Sequence, residues 1–223
     1  GNWLWAKQAM GTYSNYGNGI AVDSNGNSYV TGVFYSSATF GTTTLTSSSE
    51  YYTDIFVAKL DNNGNWLWAK QAGGTSYDDY GKGIAVDDNG NSYITGYFYS
   101  SATFGTTTLT SSGQYDIFIA KLDINGNWLW AKQAGGTSYD DYGKGIAVDD
   151  NGNSYITGYF YSSATFGTTT LTSSGQYDIF VAKMDSNGNW LWAKKAGGTS
   201  YDKGYSIAVD DNGNSYVTGY FLE

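Results

Sequence analysis

In the run NWLWAKQA from Asn127, apolar residues occupy both alternating sets of positions, and DIFIAKLD from Asp116 behaves in the same way. Neither run has the period of an amphipathic helix. Both read as strands that are apolar on two faces. GIAVD from Gly83 and SYITGYFY from Ser92 share the β-branched and aromatic character and are bounded by turn residues. In chain order these four runs are strands a (Gly83), b (Ser92), c (Asp116) and d (Asn127). DDNGN joins a to b and DINGN joins c to d, and each Asn-Gly pair supplies the positive-φ residues that tight hairpins need. One unit is therefore a four-stranded meander. Side chains alternate along a strand, so Trp128 and Trp130 are expected on one face of d, with Leu129 and Ala131 on the other. In strand c, Ile117 and Ile119 are expected to point away from Phe118 and Ala120.

GNWLWAK begins at residues 1, 64, 126 and 188, a period of 63, 62 and 62 residues. The second and third units differ only at Ile119 against Val181, Leu122 against Met184 and Ile124 against Ser186, as expected of recent duplication or consensus design. A sheet that is apolar on both faces needs a cover on each. With no helical period anywhere in the chain, the neighbouring unit has to supply it. Radially packed four-stranded sheets meet that demand, and the period suits one blade. The predicted fold class is all-β, a β-propeller of near-identical four-stranded blades. Trp3, Trp5, Trp66, Trp68, Trp128, Trp130, Trp190 and Trp192 are expected to pack the wedges between blades.

The chain reads d, then abcd three times, then a and b. Residues 1–223 thus form one propeller segment of three complete blades and a split fourth. Residues 1–10 would supply the outer strand of that fourth blade and residues 204–223 its inner strands, with c missing. Either one chain closes a four-bladed ring, or two chains exchange ends in a homodimer that closes an eight-bladed ring. The dimer is expected, because a four-bladed ring splays large tryptophan-bearing sheets around a narrow axis. An open half-ring leaves bare edges and apolar faces.

Composition narrows the chemistry. There are 22 Tyr, 10 Phe, 8 Trp and 31 Gly, but no Pro, Cys or His. The commonest general base and metal ligand is therefore absent, as is thiolate chemistry, and the chain is not expected to be an enzyme or to carry a cofactor or metal. A net charge of -9 with 11 dispersed basic residues argues against nucleic acid. No apolar run approaches the roughly 18 residues of a membrane span, so no membrane insertion is expected. The chain opens without Met, and Leu222-Glu223 departs from the repeat as a cloning scar would, suggesting an excised or engineered piece.

GIAVDDNGNSYITGYF at residues 83–98, followed by DIFIAKLDINGNWLWAKQAGG at 116–136, resembles the SBBP-type bacterial β-propeller repeat and, more distantly, the strand order of NHL repeats. The resemblance spans essentially the whole chain. It implies the propeller fold and a secreted or cell-surface setting, and it brings no catalytic motif.

Antiparallel strands place the a–b and c–d hairpins on one rim and the b–c and d–a connections on the other. YSSATFGTTTLTSSGQY and GGTSYDDYGKG would then concentrate Tyr, Ser, Thr and Asp on that second rim. Such a surface suits adaptable recognition, though tyrosines tucked over the blades read equally well. For a lectin-like glycan binder the candidates are Tyr77, Asp78, Asp79 and Tyr80, then Tyr139, Asp140, Asp141 and Tyr142, and the partial copy Tyr201 and Asp202. An aromatic face beside a carboxylate can stack on a sugar ring and accept its hydroxyls. The first copy, Tyr13, Ser14, Asn15 and Tyr16, lacks both acids. The noncatalytic structural or interaction module is the leading expectation, with the glycan binder as its alternative.

Three further patterns are set aside. DDNGN resembles part of a calcium loop, but its glycine comes two positions early and no glutamate stands at position twelve. Asp78 and Asp79 are sequence neighbours, which point apart rather than facing each other across a glycosidic bond. Lys59, Lys121 and Lys183 follow apolar strand residues and are expected to lay their stems over the neighbouring blade. TTTLT is expected to add a short edge strand.

Overall fold

The computed structural model of the chain describes residues 1–11 and 13–222. Among them there is no helix. The first blade consists of β2 (Tyr16–Val22), β3 (Ser28–Tyr35), β6 (Thr53–Leu60) and β7 (Trp66–Ala72), paired in that order. The second consists of β8 (Tyr80–Val86), β9 (Ser92–Phe104), β10 (Thr107–Leu122) and β11 (Trp128–Ala134). The third consists of β12 (Tyr142–Val148), β13 (Ser154–Phe166), β14 (Thr169–Met184) and β15 (Trp190–Ala196). A final hairpin, β16 (Asp202–Val209) with β17 (Ser215–Phe221), begins a fourth blade. The first strands β2, β8, β12 and β16 are successive neighbours around the axis, as in a propeller.

The hairpin turns follow from their sequence. Asp87 Oδ1 accepts the N–H groups of Asn89 at 3.0 Å and Asn91 at 2.9 Å, and Oδ2 accepts from Asn91 Nδ2 at 2.8 Å. Gly90 closes the turn with φ at 78° or thereabouts in its six sister turns and 77° here. The carboxylates are thus engaged by donors of their own turn, as the hairpin reading expects. At Asp61 and Asp185 the Asn65 and Asn189 N–H groups hold the carboxyl below its ordinary range. Their contribution is present at neutral pH and fades in acid, as pH falls through the lowered value. Asp87 also accepts from the Tyr93 hydroxyl at 3.2 Å. Asp87→Ala is therefore expected to cost about 1.5–3 kcal/mol, the range for hydrogen bonds to a charged group, as read by urea unfolding.

Two expectations about packing are corrected. The first concerns the tryptophans. In every c–d hairpin the register slips by one residue, so Lys59 faces Trp68 while Leu60 faces Trp66; Lys121–Trp130 with Leu122–Trp128, and Lys183–Trp192 with Met184–Trp190, repeat it. The bulge absorbs Leu67, Leu129 or Leu191, which lies exposed, and turns the two indoles of each WLW to opposite faces. Trp68 reaches forward, and its Nε1 donates to Ile124 O of the next blade at 3.1 Å. Trp66 turns back to stand edge-on to Phe40 at 5.1 Å. Each complete junction therefore receives one indole from each side, Trp68 with Trp128 and then Trp130 with Trp190. The alternation expected in strand c holds, with Phe118 and Ala120 toward the first blade and Ile117 and Ile119 toward the third.

The second concerns the b–c connection, which does not stay on the rim. Strands b and c run on into a flap in which SATF pairs with TTLT, as β9 with β10, as β13 with β14, and as β4 (Ser37–Phe40) with β5 (Thr43–Thr46) in the first blade. A left-handed residue, Ser36, Ser100 or Ser162, bends each flap back along its blade. Ala102, Phe104 and Leu109 are buried by this bend, with Phe104 at 4.8 Å from Phe118. The apolar face of the flap explains its departure from the rim. Its outer edge also stitches blades together: Thr103 pairs with Gly73 and Thr165 with Gly135, while β1 (Met10–Gly11) pairs with β4. The expected extra edge strand in TTTLT is this arm of the flap.

Within the chain the split blade does not assemble. Residues 1–9 form no strand, and no pairing links them to β17 among the described residues. They lie instead against the first blade, where Trp5 Nε1 donates to Asn62 O at 3.1 Å, as Trp68 and Trp130 do one blade on. Of the outer-strand segment 1–10 only Met10 enters a ladder, together with Gly11 just beyond it. The reason lies in the missing c strand, which is the one that d pairs with in every complete blade.

Candidate functional site

The d–a loops hold the candidate residues, and the structure divides them into two groups. Asp79 is fully buried, its Oδ2 accepting the Gly74 N–H at 2.7 Å and its Oδ1 the Tyr99 N–H at 3.1 Å. Asp141 repeats this with Gly136 at 2.8 Å and Tyr161 at 3.0 Å, and Asp202 accepts from Gly198 at 2.6 Å. Burial pushes the carboxyls of Asp79 and Asp141 up to about 8 against the pull of these N–H groups, with neighbouring carboxylates adding to the rise. In the first unit Asn15 Oδ1 accepts the Tyr35 N–H at 3.3 Å in the same way. An amide therefore serves where the acid is absent, and these three aspartates close a loop away from solvent. The shortened fourth loop has kept this inner acid and lost the outer one.

Asp78, Asp140 and the tyrosines remain nearer the surface. Asp78 Oδ1 accepts the Thr53 N–H at 2.7 Å and its hydroxyl at 3.0 Å, and Asp140 accepts the Tyr142 hydroxyl at 2.7 Å. Tyr77 and Tyr139 stand at φ 61° and 55°, a backbone that turns both rings outward. Tyr77 packs on Tyr99 at 4.4 Å and Tyr52 at 5.1 Å, and Tyr139 packs on Tyr161 at 4.8 Å. Tyr201 stacks on Tyr177 at 5.9 Å. Tyr80 and Tyr142 belong elsewhere, on axis strands β8 and β12, against Tyr97 at 4.8 Å and 4.6 Å. The glycan candidates are thus split into outward rings, axis rings, the half-buried acids Asp78 and Asp140, and the buried acids.

The axis carries a feature that sequence reasoning missed. Lys144 Nζ lies over Tyr97 at 4.8 Å, Tyr142 at 5.0 Å and Tyr159 at 5.3 Å. Lys82 shares Tyr97 with it, and Lys203 shares Tyr159. The result is a strip of alternating ammonium groups and tyrosine faces across three blades. Burial, then the charges of Lys82 and Lys203, lower the Lys144 amine to about 8. The signal was available in YGKG, an inner-strand lysine between two glycines that sits two residues beyond a tyrosine.

Lys59, Lys121 and Lys183 are held differently. Each faces the turn aspartate of its own blade, Asp23 and Asp87 at 4.0 Å and Asp149 at 3.5 Å, and each lies over a core tyrosine. No group of three or more potential metal-ligating side chains converges among the described residues. Asp78 and Asp79 take different partners, so they do not form a facing carboxylate pair.

The model of the β-propeller repeat designated SBBP matches residues 4–33, 67–97, 129–159 and 191–220, each match running from strand d through a into b. The chain belongs to the SBBP β-propeller repeat family. This SBBP chain is 29% identical over 200 residues to the uncharacterized WD repeat-containing protein L264 of Acanthamoeba polyphaga mimivirus, covering 75% of this chain and 14% of that protein. It is 28% identical over 127 residues to the regulatory protein FlaEY of Caulobacter vibrioides, covering 54% of this chain and 13% of that protein. The chain thus spans about one seventh of the length of the curated relatives it matches. A solved Bacteroides caccae protein of unknown function aligns over 91% of this chain and 53% of its own, at 12% identity and a TM-score of 0.44.

Proposed function

We propose that this SBBP chain is a noncatalytic interaction module whose blade faces join head to tail with a second copy, closing one ring of blades. The observation that carries the reading is the exposure at the two ends of positions that are buried at every junction within the chain. Ile20 is 67% exposed, whereas its equivalents Ile84, Ile146 and Ile207 are 7%, 7% and 8% exposed. At the other end Tyr216 is 60% exposed, whereas Tyr29, Tyr93 and Tyr155 are wholly buried. Inside the chain the Tyr29 hydroxyl donates to Gly90 O of the next blade at 3.1 Å, and Trp68 stands edge-on to Tyr29 at 6.1 Å. A second copy would offer Tyr216 the Gly26 turn and the already docked Trp5. One chain thus brings a and b of a blade, the other brings d, and the interface continues one used inside the chain. A secreted or cell-surface setting is part of this proposal and comes from the family resemblance.

The absence of catalysis is supported by where the unusual carboxyls sit. Those of Asp79 and Asp141 are spent on glycine and tyrosine N–H groups inside the junctions. No substrate reaches them from the rim.

A second reading, a lectin-like binder of glycans, is favoured by the outward rings of Tyr77 and Tyr139, each set beside a rim carboxylate. Calorimetric titration across a panel of neutral and acidic sugars separates the two readings. The interaction module predicts no saturable heat. The lectin reading predicts binding that Tyr139→Ala weakens at least tenfold without changing the oligomeric mass.

A further inference from the structure

β17 is the counterpart of β3, β9 and β13, the second strand of each complete blade. Each of those three lies between the first strand of its blade and the c-type strand β6, β10 or β14. Among the described residues β17 pairs with β16 alone, and its residues from Tyr216 to Phe221 are exposed.

Four contacts repeated in the complete blades show what the second neighbour supplies. The hydroxyls of Thr31, Thr95 and Thr157 donate to the carbonyls of Phe56, Phe118 and Phe180 at 2.9, 2.9 and 2.8 Å. The rings of the same phenylalanines cover Gly32, Gly96 and Gly158, where a Cβ would stand 2.8 Å from the ring edge. Three residues on, Lys59, Lys121 and Lys183 lie over the rings of Tyr29, Tyr93 and Tyr155 at 4.7, 4.6 and 4.5 Å. The same ammonium groups face Asp23, Asp87 and Asp149. The fourth hairpin keeps all four receiving groups in register, as Thr218, Gly219, Tyr216 and the turn residue Asp210. At Gly219 the nearest atoms are backbone atoms of β16, and Asp210 accepts only from its own hairpin, from Asn212, Asn214 and Tyr216.

We infer that β17 is an acceptor edge for one antiparallel strand supplied by another polypeptide, and that this strand carries Phe and Lys three residues apart, as in DIFIAKL. Backbone pairing along the open edge supplies affinity, and the side-chain sockets supply selectivity. The register fixes direction: Phe falls at Gly219 and Lys at Tyr216, beside the turn that holds the negative Asp210. A second β17, SYVTGYF, has no lysine to offer, which argues against edge-to-edge pairing of two copies. The inference goes beyond the ring proposed above and stands on the fourth hairpin alone. In that ring the added strand would lie between β17 and residues 1–9 of the other copy.

The test is fluorescence anisotropy of a labelled synthetic peptide of residues 114–123, QYDIFIAKLD, titrated with the full chain. Saturation below about 100 μM with one peptide per chain is expected. Phe118→Ala in the peptide is expected to weaken binding by about thirtyfold or more, as for a buried aromatic anchor. Lys121→Gln in the peptide should flatten the dependence on salt. Thr218→Val in the chain keeps the shape and removes the hydroxyl, so a loss of about fivefold is expected, which places the peptide on β17. Absence of saturable binding would overturn the inference, as would equal affinity for the Phe118→Ala peptide or for the Thr218→Val chain. Light scattering on the same samples keeps the ring separate: peptide bound by a 24.1 kDa monomer supports the acceptor edge and contradicts the ring alone. A peptide that dissociates a dimer would show that another copy covers β17, and would overturn the inference.

Discussion

Phe118→Ala is expected to destabilise the chain by about 3–5 kcal/mol, the cost of deleting a buried aromatic ring and leaving part of its cavity. The ring is fully buried and is packed by Phe104 of the flap at 4.8 Å, and its edge occupies the space that a side chain on Gly96 would need. Removing it therefore loosens strand c, the flap and the junction with the first blade together. Because each blade contacts only its neighbours, the loss should show first as a separate early transition in urea monitored by tryptophan fluorescence. Trp3→Ala is the control. Trp3 is 92% exposed in the single chain, so its removal should leave monomer stability within about 0.5 kcal/mol, as is usual for surface positions. Equal losses in the two variants would contradict this account of the packing.

The sequence made the strands, the turns and the radial packing legible because each rests on a local rule. Asn-Gly pairs set the hairpins, and two-sided apolarity in DIFIAKLD demanded neighbours on both faces. The tryptophan faces were not legible, because alternation assumes an unbroken register and the bulge at Leu67, Leu129 and Leu191 leaves no mark in composition. The flap was half legible: TTTLT read as a strand, but its bend depends on Ser36, Ser100 and Ser162 adopting positive φ, which serine does not announce. In the candidate site, the pair Tyr77 and Asp78 came out near the surface, whereas Asp79 went inside. Neighbouring aspartates look alike in sequence, and only the N–H groups of Gly74 and Tyr99 distinguish them.

The second large effect concerns association. If the end faces join as the internal junctions do, Ile20, Val22 and Trp3 of one chain become covered by Tyr216 and Val217 of another, at two such interfaces per closed pair. Heterologous faces that close with two copies stop at two, and those that do not close run on into filaments. Deleting residues 1–9 removes the docked Trp5 and is expected to abolish association while leaving the three complete blades folded. Light scattering coupled to size exclusion, on the intact chain at micromolar concentration, tests the central claim most directly. The account predicts a single species of twice the 24.1 kDa of one chain, reduced to a monomer by that deletion. A mass of 24.1 kDa for the intact chain would contradict it.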